Sequence, residues 1–184
     1  NTIDFRSGVP ALNLFPRRGW GKFVKEVCLE APDNIFGYGQ PEGRAELRKA
    51  LSTYLKRTRG VECHSDQIVI TSGATQAFSL IAKMLLSHGA QVIIEDPITH
   101  EIQTIFTAAG ATLCPVPVDE QGMRTDLLSY GLKPSFIFVT PSHQFPMGGI
   151  LPIQRRIQLI QFARTANCWI VEDDYDSEFR YDGE

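Results

Sequence analysis

The sequence predicts an α/β domain with a mostly parallel sheet and helices on both faces. Short runs that are apolar throughout alternate with segments of helical periodicity, a pattern typical of strands buried on both sides. The chain has 184 residues and is 43% hydrophobic, which suits a globular domain with its own core. The runs predicted as strands are QIVIT at 67–71, QVIIE at 91–95, 111–116, SFIFVT at 135–140 and CWIVE at 168–172.

Helices are predicted between these runs and before the first of them. The clearest is 45–59, where Leu47, Leu51 and Leu55 recur at helical spacing and Gly60 ends the segment. The other predicted helices span residues 17–30, 75–86, 99–109, 124–130 (short) and 152–166. We expect an N-terminal segment and loop over residues 1–40, and a partial ligand-binding domain over 41–184.

Composition narrows the function classes. A net charge of −3 gives no basic footprint for nucleic-acid binding within this segment. The four cysteines form no C-x-x-C pair, so no zinc site is expected and free thiols are predicted. No apolar run is long enough to span a bilayer, and no signal peptide is visible. Because the chain begins at Asn1, we expect it to be part of a longer protein.

Chemistry is expected just after the strands, because ligands of parallel sheets bind beyond the carboxyl ends of the strands. The first strand run leads into TSGATQ, where Gly73 permits a tight turn into a helix. The open N–H groups of Ala74, Thr75 and Gln76 would suit a phosphate. An ordinary turn capped by Thr75 or Ser72 is the alternative.

Three later strand ends also present polar groups. His100 follows EDP, where it could stack on a flat ring, carry a proton, or lie in solvent as a helix-start residue. His143 lies in TPSHQFPMGG, whose prolines and glycines predict a rigid loop suited to ligand contact. The alternative is a structural turn with Phe145 packed into the core. The last strand ends in EDDYDSE, with five acidic residues in seven positions. One aspartate there could pair with a protonated ring nitrogen, the cluster could bind Mg²⁺ or Ca²⁺, or the segment could be a solvated loop.

Several segments together resemble the large domain of fold-type-I pyridoxal-phosphate enzymes. More narrowly, they resemble the MocR/GabR-type bacterial regulators, which fuse an N-terminal winged-helix DNA-binding domain to an aminotransferase-like domain. TPSHQFP with EDDYDSEFRYDG is the combination most specific to the regulators. The resembling segments are FRSGVPALNLFP, YGQPEGRAELRKALSTYLKRTRGV, QIVITSGATQAF, EDP, VTPSHQFPMG and WIVEDDYDSEFRYDGE.

The resemblance implies pyridoxal 5'-phosphate as the cofactor. Gly73, Ala74 and Thr75 would bind its phosphate. Asp173 would pair with the pyridine nitrogen and keep it protonated, and Tyr175 would contact the ring hydroxyl oxygen.

The resemblance also implies a site shared across a homodimer. Tyr38 would lie near the active site of the partner subunit. The loop containing Gly8 and Val9 would lie near the substrate carboxylate, and His143 on its loop is expected to contact the substrate.

This sequence departs from the family pattern in two places. Thr99 occupies the cofactor-binding position where the family usually stacks an aromatic ring, and His100 is the candidate substitute. Phe145 replaces the asparagine of N-P-x-G, a regulator-like choice that removes one hydrogen bond to the cofactor. The Schiff-base lysine is expected beyond Glu184, so no catalytic residue is assigned and the chain alone should be inactive.

The leading functional hypothesis is therefore the effector-sensing domain of a cytoplasmic, pyridoxal-phosphate-dependent transcriptional regulator. Its effector would be an amine or amino acid, and DNA would bind through a winged-helix domain preceding Asn1. The main alternative is a genuine amino-acid aminotransferase. A metal-dependent hydrolase or phosphatase is disfavoured, because no second set of ligands follows another strand, and no metal site is expected.

Overall fold

The computed structural model describes residue 8 and residues 10–179. It divides the chain into two compact units, Asn1–Ile70 and Thr71–Glu184, which are described separately below. The domain boundary expected after residue 40 stays a prediction. Within the described residues, no helix is long and apolar enough to cross a membrane.

The first unit contains two helices, α1 (Arg17–Glu30) and α2 (Ala45–Arg59), both with the predicted bounds. Helix α2 ends as expected at Gly60, which adopts a left-handed conformation (φ 65°) and donates its N–H to the Lys56 carbonyl. Three short 3-10 turns complete the described part of this unit: Leu12–Leu14, Asp33–Phe36 and Ser65–Gln67.

The strand predicted at 67–71 is wrong. Gln67 ends a 3-10 turn, and although the backbone at Ile68 is extended (φ −110°, ψ 130°), the segment joins no sheet among the described residues. The Ile70 N–H donates instead to the Glu42 carbonyl, at 2.9 Å. A β-branched run favours extended backbone, but a strand also needs a neighbouring strand, and this requirement is not visible in local sequence.

The second unit contains a five-stranded sheet in the order β3-β2-β1-β4-β5. Strands β1, β2, β4 and β5 are parallel, as predicted, and β3 is a short antiparallel addition to β2 that was not predicted. The strand bounds are β1 Gln91–Asp96, β2 Thr112–Asp119, β3 Gly122–Met123, β4 Pro134–Val139 and β5 Trp169–Glu172.

Helices cover both faces of this sheet, which confirms the predicted fold class. Alternate residues of a strand point to opposite faces, so Val92 and Ile94 enter one core cluster and Ile93 enters the other. The first cluster includes Phe78 and Phe106 from the helices on that face. The helices of the second unit are α3 (Ala74–Leu85), α4 (His100–Ala108) and α5 (Ile153–Ala166).

Helix α5 covers the opposite face. Its Leu159 and Phe162 are almost fully buried against Ile93, Ile137 and Val139. Truncating a buried phenylalanine to alanine typically costs about 3–5 kcal/mol, so this helix is a large part of the unit's stability. The helix predicted at 124–130 is only a 3-10 turn, Thr125–Leu127.

Candidate functional site

The register of the sheet brings three predicted strand ends to one edge. Ile93 of β1 pairs with Ile137 of β4, and Val139 of β4 pairs with Glu172 of β5. The Asp173 N–H then donates to the Val139 carbonyl at 2.9 Å, which extends the ladder by one residue. We call this the carboxyl edge of the sheet: the residues that end or follow β1, β4 and β5.

Asp173 is half-buried at this edge. Burial raises the pKa of its carboxyl group, and the nearby Asp176 carboxylate raises it further. No side chain of the described residues forms a hydrogen bond or ion pair with the Asp173 carboxylate. A half-buried carboxylate without a partner is stabilised by a nearby cation, and a protonated ring nitrogen would be such a cation.

Tyr175 and His143, predicted from separate motifs, lie together. The Tyr175 hydroxyl donates to the His143 main-chain carbonyl at 3.0 Å, and the two rings are nearly parallel, 11° apart with centroids at 6.4 Å. Phe145 meets the Tyr175 ring edge-on at 6.3 Å. His143 Nδ1 also lies 2.7 Å from an Asp176 carboxylate oxygen. Burial, aided by the neighbouring carboxylates, raises the pKa of Tyr175.

The predicted phosphate site lies at the start of α3. Gly73 precedes the helix with φ 100°, and no side chain forms a capping hydrogen bond at this end. Apart from its own chain neighbours, no described residue has an atom within 4 Å of the position that a Cβ on Gly73 would take. Open N–H groups at a helix N-terminus suit an anion, so the donor set fits a phosphate.

An unpredicted acid lies beside this helix start. Thr75 Oγ1 donates to Glu101 Oε1 at 2.6 Å, and Glu101 is in the first turn of α4, the helix that follows β1. This contact places the α3 N-terminus near the carboxyl edge of the sheet. It also means that the Thr75 hydroxyl, a predicted phosphate ligand, is bound to a carboxylate in this structure.

Thr99 stands where the family usually stacks an aromatic ring on the cofactor, and the effect of this difference on cofactor binding stays a prediction. Thr99 is half-buried and precedes α4 as its N-cap residue, and His100 is the exposed first residue of the helix. Both side chains lie just beyond the end of β1, at the carboxyl edge.

Three predicted residues belong to the first unit. Gly8 is exposed with φ 79°, and Tyr38 is fully exposed. Val9 lies outside the described residues. Their predicted substrate and partner-subunit contacts stay predictions.

Arg48, which sequence reasoning missed, fixes the loop that contains Tyr38. The Arg48 guanidinium is buried and donates to Gly43 O (3.2 Å), Ser65 O (2.7 Å) and Gln40 Oε1 (3.1 Å). Local sequence marks Arg48 only as a polar residue on an amphipathic helix, so nothing there signals its burial.

Glu95 is the second functional candidate that sequence reasoning missed. Its side chain is only 1% exposed, and it accepts hydrogen bonds from Thr140 and Gln144. Burial is the largest of the effects on its carboxyl group, and the net result is a raised pKa. The available signal was a carboxylate ending the otherwise apolar run QVIIE, since buried acids require partners.

The acidic cluster after β5 was one of the alternatives for a metal site. Among residues 10–179, no group of three or more histidine, cysteine, aspartate or glutamate side chains is arranged to hold a metal ion. The four cysteines are free thiols.

Comparisons with known proteins identify the family. The aminotransferase class I and II model matches residues 2–183. The chain is 35% identical to the probable rhizopine catabolism regulatory protein MocR of Rhizobium meliloti, over 98% of this chain and 36% of that protein. It is also 35% identical to the HTH-type transcriptional regulator YhdI of Bacillus subtilis, over 98% of this chain and 38% of that protein.

A solved structure gives the same family. LysN, the α-aminoadipate aminotransferase of Thermus thermophilus complexed with N-(5'-phosphopyridoxyl)-L-leucine, is 31% identical with a TM-score of 0.82. The match covers 92% of this chain and 43% of LysN, so the chain spans less than half the length of these relatives. Since the family model matches nearly every residue, the chain belongs to the aminotransferase class I and II family.

Proposed function

We propose that this chain is part of the effector-sensing, aminotransferase-like domain of a pyridoxal-phosphate-dependent transcriptional regulator. The observation on which the proposal depends is the half-buried Asp173 carboxylate, which has no partner among the described residues. Tyr175 lies two residues further along the same strand end. Together they offer an anion for a ring nitrogen and a hydroxyl for a ring oxygen.

Each residue has a defined task in this proposal. Asp173 holds the proton on the pyridine nitrogen, Tyr175 donates to the ring hydroxyl oxygen, and the N–H groups of Gly73, Ala74 and Thr75 bind the phosphate. Bound pyridoxal phosphate supplies an electron-withdrawing ring for chemistry at the amine of an effector.

The remaining contacts involve the face of the ring and the effector. Thr99 would face the ring, and His143 would contact the amine or amino-acid effector. The roles of Gly8 and Val9 toward the effector carboxylate rest on the resemblance alone. Tyr38 contributes to the site of the partner subunit in a homodimer.

The whole protein is proposed to be cytoplasmic and to bind DNA through a winged-helix domain before Asn1. The support is the similarity to MocR and YhdI, whose names describe a regulatory protein and an HTH-type regulator. A genuine amino-acid aminotransferase is the second candidate, favoured by the similarity to LysN. An assay of the purified full-length protein separates the two candidates. Transfer of an amino group from an amino acid to a 2-oxo acid would support the aminotransferase.

Titration of the full-length protein with pyridoxal phosphate tests the proposal. Asp173→Asn removes the charge and should weaken binding about 10- to 100-fold, because a hydrogen bond to a charged group contributes about 1.5–3 kcal/mol. Glu172→Gln is the matched control: it removes the same charge one residue earlier, at an exposed position. A wild-type protein that binds no pyridoxal phosphate contradicts the proposal, and equal affinities of the two variants contradict the role of Asp173.

A further inference from the structure

Glu95 is a buried acid for which the proposed site gives no role. It lies at the end of β1 on the carboxyl edge, and its side chain is 1% exposed. One carboxylate oxygen, Oε2, accepts three hydrogen bonds: from Thr140 Oγ1 at 2.5 Å, Thr140 N at 3.2 Å and Gln144 Nε2 at 3.3 Å. All three donors come from the end of β4 and the loop that follows it.

Gln144 extends this network in both directions. Its Nε2 shares two protons among three acceptors: Phe145 O at 2.9 Å, Pro97 O at 3.0 Å and Glu95 Oε2 at 3.3 Å. Its Oε1 accepts from Met147 N at 2.9 Å. Gln144 therefore joins the segment after β1 to residues 140–149, which we call the 140–149 loop.

Thr140 completes the network on the other side of Glu95. Its hydroxyl donates to Glu95 and accepts from Phe145 N at 3.3 Å. The backbone of the 140–149 loop is thus held at Thr140, Gln144, Phe145 and Met147 by bonds that lead back to one carboxylate.

The same loop contacts Tyr175. The His143 carbonyl accepts the Tyr175 hydrogen bond, and the Phe145 ring packs edge-on against the tyrosine. We propose that Glu95 is a positioning residue of the candidate cofactor site: by fixing the 140–149 loop through Thr140 and Gln144, it sets where Tyr175 lies. The part of this inference that concerns the cofactor rests on the proposed function.

The chemistry of the network requires an acceptor at position 95. Both donors of Thr140, its N–H and its hydroxyl, meet at Glu95 Oε2, so an apolar side chain leaves both without that partner. Gln144 Nε2 would lose only its longest contact, at 3.3 Å. A buried donor without a partner is costly, and the loop would have to open to reach water. Glutamine has nearly the same shape and retains an acceptor oxygen, so it should rescue most of the effect.

Amide hydrogen exchange in the absence of cofactor tests the inference in the full-length protein. Glu95→Leu should speed exchange at Thr140, Phe145 and Met147 about tenfold or more. Val92→Ala is the control, because Val92 is equally buried on β1 but belongs to an apolar core cluster that contains none of Glu95, Thr140 and Gln144. Exchange rates are compared after correction for each variant's global stability. Glu95→Gln should stay within about threefold of the wild type.

Equal acceleration at Met147 in Glu95→Leu and Val92→Ala would show a merely structural role and overturn the inference. If Glu95→Leu does not fold, Thr140→Val carries the same test, since it removes the shortest bond to Glu95 with little change in size. The effect of each variant on pyridoxal-phosphate affinity is then measured separately. Because the exchange experiment uses no cofactor, its outcome is independent of whether the proposed function holds.

Discussion

The Tyr175 hydroxyl donates its proton to the main-chain carbonyl of His143, at 3.0 Å. A phenol has one proton to donate, so in this structure that proton is committed to the 140–149 loop. If the same hydroxyl is to donate to a cofactor oxygen, it must release the His143 carbonyl. Cofactor binding would then remove one of the contacts between this loop and the segment after β5, coupling occupancy to the position of His143.

Replacing Tyr175 by phenylalanine separates the two hydrogen-bonding roles of its hydroxyl, toward the His143 carbonyl and toward the cofactor, from the packing of its ring. Tyr175→Phe keeps the ring contacts with His143 and Phe145 but loses the donor. We expect pyridoxal-phosphate affinity to fall about three- to tenfold, since a neutral hydrogen bond contributes about 0.5–1.5 kcal/mol net. Affinity is measured by absorbance titration.

The stability of the same variant provides the control. Tyr175 is about half exposed, so water can replace the lost bond and the free energy of unfolding should fall by no more than about 1 kcal/mol. Unchanged affinity together with reduced stability would mean that the hydroxyl serves the fold and not the cofactor.

Glu101 is expected to oppose phosphate binding, because it places a carboxylate on the Thr75 hydroxyl at 2.6 Å. Glu101→Gln should raise the affinity for inorganic phosphate and for pyridoxal phosphate about three- to fivefold. The reason is that like charges a few ångströms apart in a wet site repel by about 1 kcal/mol. Calorimetric titration at low ionic strength gives both affinities.

Added salt checks the electrostatic origin of this gain. Because exposed charges are screened, the advantage of Glu101→Gln should shrink as the salt concentration rises toward about 1 M. Glu120→Gln, which removes the same charge from an exposed position, is the control and should leave both affinities unchanged. An equal gain in the two variants would point to net charge and not to the contact with Thr75.

Sequence alone predicted the fold and the edge of the sheet at which the candidate residues lie, because parallel strands place their carboxyl ends together. The cofactor contacts of these residues stay predictions. Asp173, Tyr175 and His143 could be chosen as residues that follow strands, and the register then brings them to one edge. The sequence did not predict that residues 67–71 lie outside the sheet, since pairing depends on a neighbour. The contact of Thr75 with Glu101 was missed for a similar reason: the two residues are 26 positions apart.

The buried carboxyl group of Glu95 should make stability depend on pH. Burial raises its pKa above the ordinary value of 4.5. Between pH 4.5 and the raised pKa, the folded chain therefore holds a proton that the unfolded chain has released. The free energy of unfolding should therefore fall as pH rises from 4.5 through the raised pKa, and level off above it. The pKa of Asp173 is also raised, so Asp173 likewise makes the free energy of unfolding fall with pH, starting from pH 3.8. The charge of Asp173 also raises the pKa of Glu95.

Urea unfolding of Glu95→Gln across this range checks the assignment. The variant should show a shallower fall than the wild type, with the slope due to Asp173 remaining. Asp119 does not interfere with this measurement. Arg155 holds the pKa of Asp119 at about 2, so its contribution makes the free energy of unfolding rise with pH, and that rise ends near pH 3.8. Parallel curves for the variant and the wild type would assign the pH dependence to other groups.

Gly43 should be the least replaceable residue of the loop that contains Tyr38. It has φ 95°, and a Cβ there would lie 2.5 Å from Ile70 Cγ1 and 2.6 Å from Ile70 Cβ. Gly43→Ala adds backbone strain of about 1–2 kcal/mol to overpacking of about 1–3 kcal/mol, so we expect a loss of about 2–5 kcal/mol in the free energy of unfolding. Gly39→Ala is the matched control in the same loop, because nothing lies within 4 Å of its Cβ position. Urea unfolding compares the two; equal losses would mean that the contact with Ile70 relaxes at little cost and that the conformation of this loop is not fixed at Gly43.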